Sequence, residues 1–190
     1  MANTNKAFGF RPVGKVGSGY DGQGQNSYPI EANYNTAIYQ GDSVTLSGGY
    51  LTVATTGPLL GVFMGCQYTD PTTGKPTWKN YYPASTNASD IVAFVVDDPN
   101  AEFVVQCSGT AAATCRGRNA TIVTSTSGSA TTGVSGQQVS APATGNATHP
   151  WKVVAVYEAD GNDDVASDYA DLIVVPNNHL FKGSTGTAGV

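Results

Sequence analysis

Residues 41–65 read GDSVTLSGGYLTVATTGPLLGVFMG. Val44 and Leu46 alternate with Ser43, Thr45 and Ser47, which is the period of a half-buried β-strand. Ser47-Gly48-Gly49 supplies residues that accept positive φ without a Cβ penalty, as a tight hairpin turn requires. The chain returns through Tyr50, Leu51, Thr52, Val53 and Ala54 with the same alternation. Thr56-Gly57-Pro58 breaks it, and Leu59 to Met64 form a continuous apolar run, expected of a strand covered on both faces. Three strands joined by short turns predict a β-meander. Nothing in the stretch suggests catalysis; its role is architectural.

The remaining strand signals agree with an all-β fold, a barrel or sandwich built on β-meanders. Thr77 to Tyr82 alternates, Ile91 to Val96 is strongly β-branched, and Phe103-Val104-Val105-Gln106 follows the turn-forming Asp97-Asp98-Pro99-Asn100. That pair is expected to complete the core sheet. Trp151 to Glu158 and Leu172 to Val175 predict two closing strands, with one short helical turn through Val165 and Tyr169 between them. No amphipathic stretch of three helical turns appears, and no internal repeat.

The 190 residues suit one domain with appendages, large enough to bury roughly 70% of its unfolded surface without disulfide staples. Residues 1–37 are expected to form an extended N-terminal arm, because the Gly-, Asn- and Gln-rich passage from Gly14 to Ser27 carries almost no aliphatic side chains. Residues 38–182 form the β domain. Within it, 108–148 is dominated by Ser, Thr, Gly and Ala, with strand character only at Ile122-Val123 and Val139. It reads as a long polar excursion, partly ordered by strand pairing and exposed at one end of the domain, or as a flexible linker. Residues 183–190 are a polar tail.

Charged residues make up only 12% of the chain, and the formal net charge is −5. An acidic chain lacks the basic stripe through which nucleic acid is bound by counterion release. No apolar run approaches the roughly 18 residues of a membrane span. Met1 to Lys6 is polar, with no hydrophobic segment behind it, which argues against a secretory signal and for synthesis in a cytoplasm. Cys66, Cys107 and Cys115 include no C-x-x-C pair and read as buried small hydrophobes.

Candidates for chemistry are few. Asp160, Asn162, Asp164, Asp168 and Asp171 match the ligand spacing of an EF-hand loop. Val165 stands where that loop needs glycine, Asp171 where it uses glutamate, and the flanks are strands, so a solvated loop is the default reading. His149 and His179 stand alone, and neither has a spacing that would pair it with a cysteine nucleophile. The chain reads as a protein without a catalytic site, cofactor or metal. Trp78, Tyr81, Tyr82 and Trp151 could stack on a glycan, or could be core and cross-strand aromatics. Phe8-Gly9-Phe10-Arg11-Pro12-Val13 is an aromatic cluster with one arginine. Its aromatics could cap the domain's own core or anchor the arm in a partner.

The opening Asn-x-x-x-Ala-Phe-Gly-Phe-Arg-Pro-Val from Asn3 to Val13, the segment Ile38 to Val44, and Gly61-Val62-Phe63 together resemble small head decoration, or cement, proteins of tailed bacteriophages. The likeness is best in the first third of the chain. It implies a β-rich protein on the outer surface of the virion capsid, often trimeric, that locks neighbouring major capsid subunits together. By position, Phe8, Phe10, Arg11 and Pro12 would belong to the capsid-contacting arm. A glycan-binding or host-attachment module on the virion is the alternative, resting on Trp78, Tyr81 and Tyr82.

Overall fold

The computed structural model describes residues 3–17, 24–159, 161–162, 164–182 and 186–189. Regular structure there is entirely β: β1 (Arg11–Lys15), β2 (Asn26–Pro29), β3 (Ser43–Ser47), β4 (Tyr50–Val53), β5 (Gly61–Thr69), β6 (Pro76–Lys79), β7 (Val92–Val96), β8 (Ala101–Gln106), β9 (Asn119–Ala120), β10 (Ile122–Val123), β11 (Gln138–Val139), β12 (Trp151–Val156) and β13 (Asp171–Pro176). One sheet has the order β1-β8-β13-β12-β9. The other runs β2-β7-β5-β3-β4, with β6 on the far half of β5, and β10 pairs with β11 as a separate ribbon. All of these pairs are antiparallel. The arrangement is that of a β-sandwich.

The Gly48-Gly49 turn forms as its residues predict. Ser47 pairs with Tyr50 across two glycines at φ 58° and 87°, values that a side chain would strain. The meander does not form. β5 pairs with β3, not β4, so β3 is the central strand of the three. The reason lies in the length of β5: its start takes β3 and its end takes β6 on the same edge. At the β3 end, Gly61 lies so close to β7 that a Cβ there would fall 2.1 Å from the Val96 carbonyl oxygen.

The first half of β5 is buried on both faces, as the apolar run from Leu59 to Met64 predicts, and so is the end of β7 at Val95 and Val96. Val62 and Val96 face one core, shared with Phe103, Val105, Trp151, Val153, Leu172 and Val174 of the first sheet. Phe63, Cys66, Ala93 and Val95 face a second core with Ile30, Ile38, Val44, Leu51 and Tyr82, around which the second sheet curls. The Asp97 to Asn100 link is therefore a crossover between sheets. β7 and β8, expected side by side, lie in different ones.

The N-terminal segment is also part of the domain. β1 pairs with β8, β2 pairs with β7, and Phe10 is 1% exposed in the first core. Strand pairing and one deeply buried aromatic ring supply the burial that the composition of residues 14–27 lacks. Residues 18–23 of that passage, and 183–185 and 190 of the tail, lie outside the described residues. Between β12 and β13 the described residues form turns in place of the expected helical turn.

Candidate interaction surfaces

Four of the Phe8 to Val13 residues split between inside and outside. The Phe10 ring stacks on Trp151 with centroids 4.3 Å apart and planes at 16°, while Phe103 meets Trp151 edge-on at 5.5 Å. Phe10 is thus a core residue, which corrects its assignment to a contact arm; stacking inside the protein leaves it nothing to offer a partner. Phe8 and Pro12 are half-buried. Arg11 is exposed and lies over the Phe8 ring, 4.4 Å from its centroid. Val13 and Val16 beyond it are 45% and 49% exposed.

β1 is an outer strand, yet its backbone is guarded. Pro12 has no N–H, the register slips between Pro12 and Gly14, and Lys15 forms a 2.6 Å ion pair with Asp98. Proline, a bulge and lysine are the devices that stop one sheet edge from adding to another. The strand therefore presents side chains, not open hydrogen-bonding groups. Its end is tied into the crossover: the Val16 N–H donates to the Asn100 carbonyl at 2.9 Å. Lys182 Nζ donates to Asn100 Oδ1 at 2.7 Å, next to the 63% exposed ring of Phe181.

The aromatic set proposed for glycan contact separates. Tyr82 is buried in the second core, and its hydroxyl donates to the Tyr34 carbonyl at 3.0 Å; a buried ring cannot stack on a ligand, so it leaves the set. Trp151 is likewise buried. Tyr81 is half-buried and stacks on Tyr39 at 5.7 Å, with Lys79 above it. Trp78 alone is 61% exposed, on β6, with Phe94 behind it at 4.7 Å. Beside it Gln67, Thr69, Pro76, Thr77 and Asp90 line a cleft of about 290 Å³.

Residues 108–148 are ordered in part by the pairing of β10 with β11 and are exposed over 124–127 and 129–132, but the rest is not the exposed excursion expected. Asn119, Ser135, Gln137 and Gln138 are buried, and their side chains bind the chain elsewhere. Ser135 Oγ donates to Asp42 Oδ1 at 2.6 Å, and Gln137 Oε1 accepts from the Ser43 N–H at 2.8 Å. Gln138 Nε2 donates to Gln106 Oε1 at 3.0 Å and to Asn5 Oδ1 at 3.1 Å. Gln106 in turn accepts from the Lys6 N–H at 2.9 Å and donates to the Thr4 carbonyl at 3.1 Å. Polar residues can be buried when they are hydrogen-bonded, and these are. Burial pushes the Asp42 carboxyl up to about 6, against the opposing hydrogen bonds from Ser135 and the Tyr39 N–H.

The acidic loop uses its oxygens on itself. Asn162 Oδ1 accepts from the Asp171 N–H at 2.9 Å, Asp164 Oδ2 from Ser167 Oγ at 2.6 Å, and Asp168 Oδ1 from Thr110 Oγ1 at 2.6 Å. Those oxygens of the EF-hand-like spacing are turned towards the loop's own backbone and neighbours; Asp160 lies outside the described residues. Among the described residues no three His, Cys, Asp or Glu side chains gather as a metal site. His179 is buried, its Nδ1 accepting from the Phe181 N–H at 3.1 Å, and burial lowers its pKa. Burial pushes the Cys66 thiol up to about 12 and Cys107 up to about 11, far from the range of a nucleophile. Among the described residues no helix is long and apolar enough to cross a membrane.

Sequence reasoning missed the Asp42–Ser135 and Gln106–Gln138 links, for which composition carries no signal. Phe94 was legible only as a strand residue; its position behind Trp78 depends on the pairing of β5 with both β6 and β7. No family model, curated protein or solved structure matches the chain.

Proposed function

We propose that the chain is a structural virion protein that binds the outer surface of a phage capsid and cements neighbouring major capsid subunits, without catalytic activity. The observation that carries this reading is β1: Phe10 fixes its start in the core while Arg11, Val13 and Val16 reach the surface. The likeness of Asn3 to Val13 to head decoration proteins falls on the same residues. A sparsely charged surface with a pre-ordered apolar strand suits docking on a large protein face. Because the strand is already ordered, binding avoids the entropy of folding an arm. Repetition over a symmetric shell, as trimers, would multiply a modest affinity.

The double variant Val13→Ser with Val16→Ser tests the reading, since both side chains are half in water and their loss spares the core. Its capsid affinity should fall at least about tenfold at unchanged melting temperature, the effect of about 1.4 kcal/mol. Undiminished binding would remove β1 from the interface.

A second reading, a glycan-binding or host-attachment module on the virion, is favoured by one observation, the exposed ring of Trp78 above its cleft.

A further inference from the structure

β5 carries a bulge between Phe63 and Gly65, after which Gly65 pairs with Phe94 and Gln67 with Val92. The register places Phe94, Val92 and Gln67 on the same face of the second sheet as Val62 and Val96, the face that packs on the first sheet. Packing stops short of them. Gln67 is exposed, Val92 and Phe94 are half-buried, and β6 extends the uncovered part with Trp78 directly opposite Gln67. The result is a ledge: one face of the indole is backed by Phe94 at 4.7 Å, and the ring is open to the adjoining cleft.

The polar side chains at the ledge include a carboxylate and an amide, those of Asp90 and Gln67. Asp90 accepts from the Thr69 hydroxyl at 2.6 Å and from the Thr69 N–H at 3.1 Å, and those bonds hold its carboxyl below the usual range. The carboxylate is fixed in place with lone pairs to spare for hydroxyl donors. Gln67 adds an amide that both donates and accepts. Among the described residues no lysine, arginine or histidine lines the cleft, and the one charged side chain there, Asp90, is negative. A rigid indole beside a fixed carboxylate and an amide matches the two sides of a sugar ring, C–H groups on one face and hydroxyls at the rim. The volume lies near the ~300 Å³ lower end of small-ligand pockets, room for a short saccharide.

We infer that the Trp78 ledge is a binding subsite for a neutral pyranose unit of an oligosaccharide, stacked on Trp78 and hydrogen-bonded by Asp90 and Gln67, and that it rejects anionic sugars. This inference rests on the glycan-binding reading and narrows it to one site and one charge class. An anionic sugar would bring its carboxylate up to Asp90 with no cation to offset the repulsion.

The protein's two tryptophans make the test direct, since Trp151 is buried and Trp78 is exposed. Maltohexaose, cellohexaose and galacto-oligosaccharide serve as neutral probes and sialyllactose as the anionic one, each at millimolar concentration. At least one neutral probe should shift the exposed emission to the blue and lower its acrylamide quenching about twofold near half-saturation. Sialyllactose should do neither. Gln67→Ala should weaken the effect about fivefold, the loss of one hydrogen bond. Trp78→Ala should abolish binding measured by calorimetry at an unchanged melting temperature. Neutral-sugar binding retained by Trp78→Ala would overturn the site while leaving the glycan reading standing. Equal binding of sialyllactose would overturn the charge selection, and no calorimetric binding of any probe to the wild-type protein would overturn both.

Discussion

Phe10 and Trp151 stack at 4.3 Å, joining the residue before β1 to the first residue of β12 across most of the chain. This contact makes the N-terminal segment part of the domain's stability. Phe10→Ala should destabilise the protein by about 3–5 kcal/mol, the usual cost of emptying a buried phenylalanine site. Deleting residues 1–13 should go further, since it also strips part of β1 from β8. Thermal melts of both variants measure this. An unchanged melting temperature for either would mean that the ring adds nothing to the core.

The Asp42 carboxylate predicts a pH dependence. Its folded-state pKa of about 6 stands above its unfolded value near 3.8, so the folded state holds more protons between those values. Stability from this group is therefore greatest below about pH 4 and is lost as pH rises to 6, by up to ~3 kcal/mol. Asp42→Asn should flatten that slope in denaturant titrations, while its side-chain oxygen still accepts from the Tyr39 N–H. An identical slope in the variant would assign the effect elsewhere.

The three thiols should behave as core atoms. Each is buried, and burial raises the pKa of each, Cys115 included. A thiol reagent at pH 8 should modify them only at the rate of global unfolding, rising steeply with denaturant. Rapid modification of any one in native buffer would place it at an accessible opening.

How far the sequence carried these conclusions depended on which physical signal each element leaves. The hairpin at Ser47 to Tyr50 and the two-faced burial of the first half of β5 were legible, because turn chemistry and apolar periodicity are local. Sheet membership was not: Asp97 to Asn100 has the chemistry of a turn whether it joins neighbours or crosses between sheets. Polarity misled most around 135–138, where Ser, Gly and Gln looked solvated. Those side chains satisfy buried backbone and the Asp42 carboxylate, a use that only tertiary proximity reveals. At the candidate surfaces, Trp78 and Arg11 are exposed, whereas Phe10 and Tyr82, named as candidates beside them, lie inside. An aromatic residue marks both cores and interfaces, and burial alone separates the two.

The most direct measurement of the proposed function is sedimentation of the purified protein with expanded, undecorated capsids of the phage whose genome encodes it, as the proposal requires. A capsid-cementing protein should bind saturably, at a fixed ratio to the major capsid subunits, with the Val13→Ser/Val16→Ser variant displaced to higher concentration. Folded, soluble protein that stays in the supernatant at every concentration would contradict the proposal.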